Sequence, residues 1–320
     1  MSEVAALEPF RDFHSALYFR DLYLRDETLY ADFYCPFCGV PLDPVLVYAP
    51  ADQELGKSPH FRTQRGGAKH YPGCDGNPSN YQHPAEKKPV QAHIEKRQFS
   101  LPTEFAEYVE RPATPAGRAP VRIPTPDEIR RRREAAGRRY CVARFRVSLV
   151  QSLAEAHLAV LADAYEHQKE RGWSDAERQN WIREVLQAPI DLRGFSTTYR
   201  NALNDLWFPV PEYPRVFHGK HAQVELTEDG YEITSERPGK VDGGDSSRPF
   251  VIIVSLLDVD DGQLRGARRT LLRQLERAAE EDATVRWYAY GRAKLAGERF
   301  ELAFDGANIG DLFVKLQKNS

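Results

Sequence analysis

The sequence predicts an α+β protein with an N-terminal zinc-ribbon-like domain, a Pro- and Arg-rich linker and a C-terminal mixed α+β domain. Three of the four cysteines lie within 40 residues near the N-terminus, among histidines. Five prolines occur in the fifteen residues 112–126, which is typical of a linker. From Tyr213 onwards the apolar period changes from helical to alternating. The predicted domains are 1–111, 112–140 and 141–320.

The composition excludes several classes of protein. The chain has 320 residues, of which 41% are apolar and 28% are charged, so it is long enough for a sizeable core and is neither disordered nor fibrous. No apolar run approaches the length of a bilayer span, and the N-terminal stretch lacks the apolar core of a secretory signal. We therefore expect a cytoplasmic protein with no membrane partner.

The N-terminal domain is predicted to contain one short helix and several strands. Aromatic and apolar residues predict the helix within 10–24. The side chains expected to face inward from it are Phe10, Phe13, Leu17 and Leu22. Residues 30–49 predict a strand, a turn and a second strand, and alternation in 90–101 predicts another strand.

The linker ends in a pattern that predicts the start of a helix. Thr125 is a candidate N-cap, Pro126 occupies the first helical position, and Glu128 completes a capping box. The helix that follows carries most of the arginines of the linker.

The C-terminal domain is predicted to begin with helices and to continue with short strands. One helical stripe predicts a helix over 147–168, and its residues are Val150, Leu153, His157, Leu161 and Tyr165. A second capping box at Ser174 and Glu177 predicts a helix that ends before Pro189. Later segments predict five strands, at 215–227, 231–236, 249–259, 284–291 and 299–306. They also predict one amphipathic helix at 263–281. This order fits a small barrel of the oligonucleotide-binding type or an α+β sandwich.

Four residues near the N-terminus have the spacing of a metal site. Cys35 and Cys38 form a C-x2-C knuckle, which lets two thiolates face one ion, and His70 and Cys74 lie four residues apart further on. Three Cys and one His are a usual ligand set for structural zinc, which is four-coordinate and closed. The pattern therefore predicts a bound zinc ion that contributes folding energy.

Other interpretations of these residues stay open at this stage. His60 could replace His70 as the fourth ligand. A thioredoxin-like redox pair at Cys35 and Cys38 would need the knuckle to open a helix, but Pro41 and Pro44 follow it. The remaining possibility is a chance cluster of free thiols.

The knuckle and its surroundings resemble the zinc-finger head of the competence protein CoiA-like family. The resemblance covers residues 30–80: a YCPFCG motif, then Pro59, His60 and Phe61, then the closing Cys74. It implies a zinc head on a protein that handles DNA. The family often reads His-Phe-x-His in the second half, whereas Thr63 stands here, so the fourth ligand stays open. The nuclease-like region of that family has no recognisable counterpart in this sequence.

Positive charge is concentrated in two segments, although the net charge is −3. The window 129–146 has eight arginines and one acid, and it includes the predicted nucleic-acid contacts Arg130, Arg131, Arg132, Arg133, Arg138 and Arg139. The window 57–74 holds four cations and no acid, namely Lys57, Arg62, Arg65 and Lys69. Arginine binds phosphate through a planar fork, so both segments are candidate phosphate-binding surfaces.

These observations predict a zinc-stabilised nucleic-acid-binding protein without catalytic activity of its own, in a bacterial DNA-handling, mobile-element or defence system. DNA and RNA are not distinguished. One alternative is a protein–protein adaptor in a larger complex, and another is a metal-dependent nuclease whose active site the sequence does not reveal. The chain has no Walker A, GxSxG or HExxH motif, so no catalytic residue is assigned.

Overall fold

A computed structural model describes residues 2–9, 11–70, 74, 76, 100–107, 109–114, 145–241, 246–257, 259 and 264–317. The chain divides into two compact units. Unit 1 comprises Met1–Ala49, Glu54–Val147 and Ala156–Val185, and unit 2 comprises Pro50–Gln53, Ser148–Glu155 and Leu186–Ser320. Helices and mixed sheets are both present, as the predicted α+β class requires. No helix within the described ranges is long and apolar enough to cross a bilayer.

The boundaries of units 1 and 2 differ from those of the domains predicted from the sequence. The sequence places one boundary at 111 and another at 140, whereas residues 156–185 belong to the same unit as the N-terminal residues. The linker helix predicted to start at Pro126 lies outside the described residues, and so does most of the strand predicted at 90–101.

The N-terminal part of unit 1 is a five-stranded sheet with one helix, which we call the head. The sheet order is β2-β1-β3-β4-β5, and all neighbours pair antiparallel. Its elements are β1 (Val4–Ala6), β2 (Phe13–Ser15), α1 (Ala16–Asp26), β3 (Phe33–Tyr34), β4 (Pro41–Val45) and β5 (His60–Thr63).

Helix α1 starts later than the sequence predicts. Ser15 is its N-cap, and the Ser15 side chain accepts a hydrogen bond from the Tyr18 backbone N–H. Phe13 is therefore in β2 and not in the helix, because the capped chain is still extended there. Leu17 and Leu22 are buried as predicted. Phe10 lies outside the described residues.

The core of the head is built from aromatic side chains. Phe19, Phe33 and Phe61 are buried and meet edge-to-face or tilted, with ring centroids 4.9–6.0 Å apart. Arg20 is also buried, and its guanidinium donates to the Leu46 and Ala49 carbonyls. This donation fixes the chain that leaves β4.

The rest of unit 1 contains a strand pair and helical residues. Its strands are β6 (Glu104–Phe105) and β7 (Arg146–Val147), which pair in parallel. Its helical residues belong to α2 (Val150–Arg171), of which 150–155 are assigned to unit 2, and to α3 (Asp175–Val185). The predicted capping box of α3 is confirmed, since the Glu177 backbone donates to Ser174 Oγ and the Ser174 backbone donates to the Glu177 carboxylate.

Unit 2 is dominated by a sheet whose strands follow the order β17-β18-β15-β12-β11-β16-β19, with β10 also pairing β11. Its elements are β8 (Pro189–Leu192), β9 (Phe195–Thr198), α4 (Tyr199–Ala202), β10 (Leu203–Asn204), β11 (Arg215–Thr227), β12 (Gly230–Thr234), β13 (Gly239–Lys240), β14 (Ser247–Arg248), β15 (Phe250–Ser255), α5 (Gly266–Glu280), β16 (Val285–Gly291), β17 (Lys294–Ala296), β18 (Arg299–Phe304) and β19 (Leu312–Leu316).

The alternative of a small barrel is wrong for this sheet. Among the described strands, β17 and β19 are the two ends of the order and no pairing joins them, so the sheet is open. Helix α5 packs against β11 and β19 and covers one face, with Leu271 and Leu275 buried. The apolar face of a helix packs on this open sheet, as expected for the α+β sandwich that was the other predicted fold.

The central strand β11 changes partners along its length. Residues from Arg215 to Ala222 pair with β16, and residues from Gln223 to Thr227 pair with β12. A register shift between Gly219 and Ala222 interrupts the pairing with β16. At Gly219 an added Cβ would lie 2.7 Å from the indole nitrogen of Trp287, so the fully buried Trp287 ring lies directly against the backbone there.

Candidate metal centre

The cysteine knuckle is the turn between β3 and β4. The Cys35 backbone N–H donates to the Val40 carbonyl at 2.8 Å, and the Gly39 N–H donates to the Cys35 carbonyl at 2.8 Å. Gly39 has φ of +71°, a left-handed conformation that glycine adopts without strain. This tight turn directs Cys35 and Cys38 to the same side, and both are buried.

His70 and Cys74 meet the knuckle from the far end of the chain segment that follows β5. Cys35 Sγ lies 3.6 Å from Cys74 Sγ. His70 Nδ1 lies 3.5 Å from Cys38 Sγ and 3.7 Å from Cys74 Sγ. One ligand atom from each of the four residues lies within 4.8 Å of every other. We call these four residues, Cys35, Cys38, His70 and Cys74, the Cys₃His cluster.

His60, the alternative fourth ligand, lies outside the Cys₃His cluster. It is the first residue of β5, where it pairs with Val45, and its Nδ1 is 2.9 Å from the Ser58 carbonyl oxygen. The adjacent Phe61 is fully buried in the aromatic core of the head. The alternation of β5 therefore turns Phe61 inward and His60 to the other face.

Gly76 lies against the Cys₃His cluster and was not singled out from the sequence. A Cβ at this position would lie 2.4 Å from Cys35 Sγ and 3.2 Å from the His70 ring. Its backbone N–H donates to Cys74 Sγ at 3.3 Å, which is a polar contact to a ligand sulfur. The sequence contained a signal for this residue, because Gly76 follows Cys74 by two positions, much as Gly39 follows Cys38 directly.

Without a cation, the cluster favours one thiolate among its three thiols. Hydrogen bonds from Cys35 and Cys74 lower the pKa of Cys38 far below its usual range. Burial raises the pKa of Cys35 well above that range. The pKa of Cys74 rises to about 12, because Cys38 and burial together outweigh the lowering by its hydrogen bond with Cys35. Three adjacent buried sulfurs cannot all ionise unless a cation offsets their charges.

The donor set of the cluster suits a metal ion. Three thiolates and one imidazole, at the distances given above, can surround one small ion with four protein ligands. Four protein ligands complete a tetrahedral shell and leave no position for a substrate, so this arrangement can stabilise structure. The short strands of the head, two to five residues each, supply little independent stability.

The four cations predicted near the cluster all lie on the surface. Lys57, Arg62, Arg65 and Lys69 are exposed. Arg62 lies 4.0 Å from the Asp43 carboxylate, at the limit of an ion pair. Arg65 and Lys69 belong to the exposed segment 64–69, whose turn is closed by a hydrogen bond from Gly67 N–H to the Gln64 carbonyl.

The second cationic group predicted from the sequence lies outside the described residues. Its residues fall in 115–144, outside the described ranges, and they are Arg130, Arg131, Arg132, Arg133, Arg138 and Arg139. Their role stays a prediction from the sequence.

Comparison with known proteins gives no relative on which the site could be placed. No protein family, no curated protein and no solved structure matches the chain.

Proposed function

We propose that the chain is a cytoplasmic, zinc-stabilised nucleic-acid-binding protein without catalytic chemistry of its own. The observation that carries this proposal is the Cys₃His cluster, with an exposed cationic segment that ends directly at one of its ligands. The resemblance of the head to CoiA-like zinc heads points in the same direction.

Zinc is the ion that best fits the donors of the cluster. Thiolates and imidazoles are soft or borderline ligands, and three Cys with one His is a common zinc shell. Calcium and magnesium prefer oxygen donors, of which the cluster has none. A reducing compartment keeps such thiols available for a metal.

The cationic segment leads directly into the cluster. Residues 64–69 are exposed and carry Arg65 and Lys69, and His70 follows at once as a ligand. No acid occurs between Lys57 and Cys74, so the local charge is positive although the chain is acidic overall. A metal that holds His70 would fix one end of this segment, and phosphate groups would neutralise its charge.

Binding of a labelled oligonucleotide at low ionic strength tests the proposal. We expect fluorescence anisotropy to show binding that weakens steeply with added salt. The double variant Arg65→Ala, Lys69→Ala should bind more weakly and lower the salt slope by about two. The matched control is Arg273→Ala, Lys294→Ala, which removes two exposed cations of unit 2 and the same net charge.

Two results would oppose this assignment. One is the absence of salt-sensitive binding to either DNA or RNA. The other is an equal loss in the loop variant and in the control, which would reduce the effect to net charge.

A further inference from the structure

Exposed aromatic side chains are concentrated in one stretch of unit 2. Nine large apolar side chains are exposed among the described residues, and four of them fall between residues 195 and 213. They are Phe195, Trp207, Phe208 and Tyr213. Isolated exposed apolar residues need no explanation, but a concentration of this kind marks a binding surface.

Arginine side chains stack on three of these four rings. The Arg237 guanidinium lies 4.1 Å from the centre of the Trp207 ring. The Arg215 guanidinium lies 4.0 Å from the Tyr213 ring and 5.2 Å from the Phe195 ring. We call these six residues the arginine–aromatic surface: Phe195, Trp207, Phe208, Tyr213, Arg215 and Arg237.

Arg215 has no carboxylate partner among the described residues. The residue is only 6% exposed, and its one hydrogen bond goes to the adjacent Pro214 carbonyl at 3.4 Å. No ion pair joins it to any carboxylate of the described ranges. A buried guanidinium normally has an anionic partner, so this site favours an anion from outside the chain.

Arg237 differs from Arg215 in having an acidic partner. It lies 3.6 Å from the Asp205 carboxylate and donates to the Asp205 carbonyl at 2.9 Å. These contacts hold the turn that presents Trp207 and Phe208. The two rings are 58% and 68% exposed, so they form an open surface rather than a closed pocket.

Flat exposed rings combined with an uncompensated cation match one type of ligand closely. A single nucleic-acid strand offers bases that stack on aromatic rings and phosphates that pair with a guanidinium. Trp207 and Tyr213 are six positions apart in the sequence, so their backbones are at most about 22 Å apart. A strand of a few nucleotides can span that distance, in line with site sizes of about 4–16 nucleotides.

We propose that the arginine–aromatic surface of unit 2 binds single-stranded nucleic acid by base stacking, with the positive charge of Arg215 attracting the phosphate backbone. It extends the proposed function to a second surface and to a class of ligand. It does not depend on the metal or on the cationic segment of the head.

The test uses the full chain, a fluorescein-labelled oligothymidylate of about 15 nucleotides and a duplex of the same length. The variants are Trp207→Leu with Phe208→Leu, and separately Arg215→Gln. The matched control is Leu226→Ala with Leu257→Ala, which trims two equally exposed apolar residues elsewhere in unit 2. Because Trp207 and Phe208 are exposed, their replacement leaves the fold intact even if Arg215→Gln does not.

We expect the Trp207/Phe208 variant to bind the single strand at least about fivefold more weakly, since each lost stack is worth a factor of this size. The control should bind like the original chain, and the duplex affinity should change little. Ultraviolet cross-linking to the oligothymidylate, followed by mass spectrometry, should label peptides that contain residues 207–213.

Several outcomes would overturn this assignment. If the Trp207/Phe208 variant keeps its single-strand affinity while Arg65→Ala, Lys69→Ala loses it, the proposed function stands and this second surface fails. If only the Trp207/Phe208 variant loses single-strand affinity, the arginine–aromatic surface is supported and the proposed binding of nucleic acid by the head is wrong. A third outcome is that sedimentation shows the original chain to be a dimer and the Trp207/Phe208 variant to be a monomer with unchanged single-strand affinity. In that case the exposed rings join two copies of the chain and do not bind nucleic acid.

Discussion

The head and the unit 2 sheet are stabilised in different ways. Eighteen buried residues form the core of the head, and three of them are the cysteines of the Cys₃His cluster. Among the described residues of unit 2, twenty-three buried residues form the core, and none of them is Cys, His, Asp or Glu. The strands of the head have two to five residues, whereas β11 alone has thirteen. We therefore expect the head to depend on metal ligation and unit 2 to depend on buried apolar area.

Removal of the metal should separate the two regions most clearly. We expect Cys35→Ser to abolish metal binding and to unfold the head, because metal binding contributes about 10–16 kcal/mol to small structural zinc domains. Hydrogen exchange should show lost protection in β3, β4 and β5 and retained protection in β11. Cys141→Ser, which leaves all four cluster residues in place, should retain the metal. Full protection of the head in chelator would contradict this view.

A core substitution in unit 2 should show the opposite pattern. Trp287 is fully buried and stacks on Phe250 with ring centroids 5.6 Å apart. Trp287→Ala should lower the free energy of unfolding of unit 2 by about 3–5 kcal/mol in denaturant titrations, with the metal content unchanged. The exposed Trp207 provides the control, since Trp207→Ala should change stability by no more than about 0.5 kcal/mol. A coupled loss of metal would show that the two regions do not behave independently.

The two histidines sharpen the comparison within the head. His70→Ala removes one of four ligands, so metal affinity should fall by more than about 100-fold, the upper range for loss of an outer-shell partner. His60→Ala should leave the affinity unchanged, because His60 lies outside the cluster. Competition with a chromophoric chelator measures both affinities. If His60→Ala lost metal affinity and His70→Ala kept it, His60 would be the fourth ligand in place of His70.

A smaller effect should follow from crowding the cluster without removing a ligand. Gly76→Ala would place a Cβ 2.4 Å from Cys35 Sγ, so the ligands must shift. Overpacking of this kind costs about 1–3 kcal/mol, and we expect metal affinity to fall by roughly tenfold. Gly56 has no atom within 4 Å of an added Cβ, and Gly56→Ala should bind metal normally. The same chelator competition distinguishes the two variants.

Local patterns in the sequence predicted local structure well. The C-x2-C turn, the capping box at Ser174 and the two strands around residues 228–230 depend on neighbours in the chain, and all three are present. The start of α1 was misplaced because aromatic residues occur in both β2 and the helix. Ser15 was the better signal, since its side chain caps the first turn.

Features that depend on distant contacts were harder to predict. The choice between His60 and His70 rests on which histidine returns to the knuckle, and chain spacing alone allows both. The open or closed form of the unit 2 sheet depends on whether its end strands meet. Tyr165, expected on the buried stripe of α2, is exposed beneath the Arg178 guanidinium, 4.4 Å away. The helical period predicts which face of the helix a residue lies on, but it does not predict whether another element packs over that residue.

The long separation between the strands of unit 2 has a consequence for synthesis of the chain. Strand β11 pairs with β16, and β16 pairs with β19, which ends at Leu316. All four residues of the Cys₃His cluster have been made once synthesis reaches Cys74, about 240 residues earlier. At about 5–20 residues per second, the ribosome needs roughly 10–50 s for that interval. If the cluster binds a metal ion, the head can therefore capture that ion on the ribosome while the central sheet still lacks its last strands.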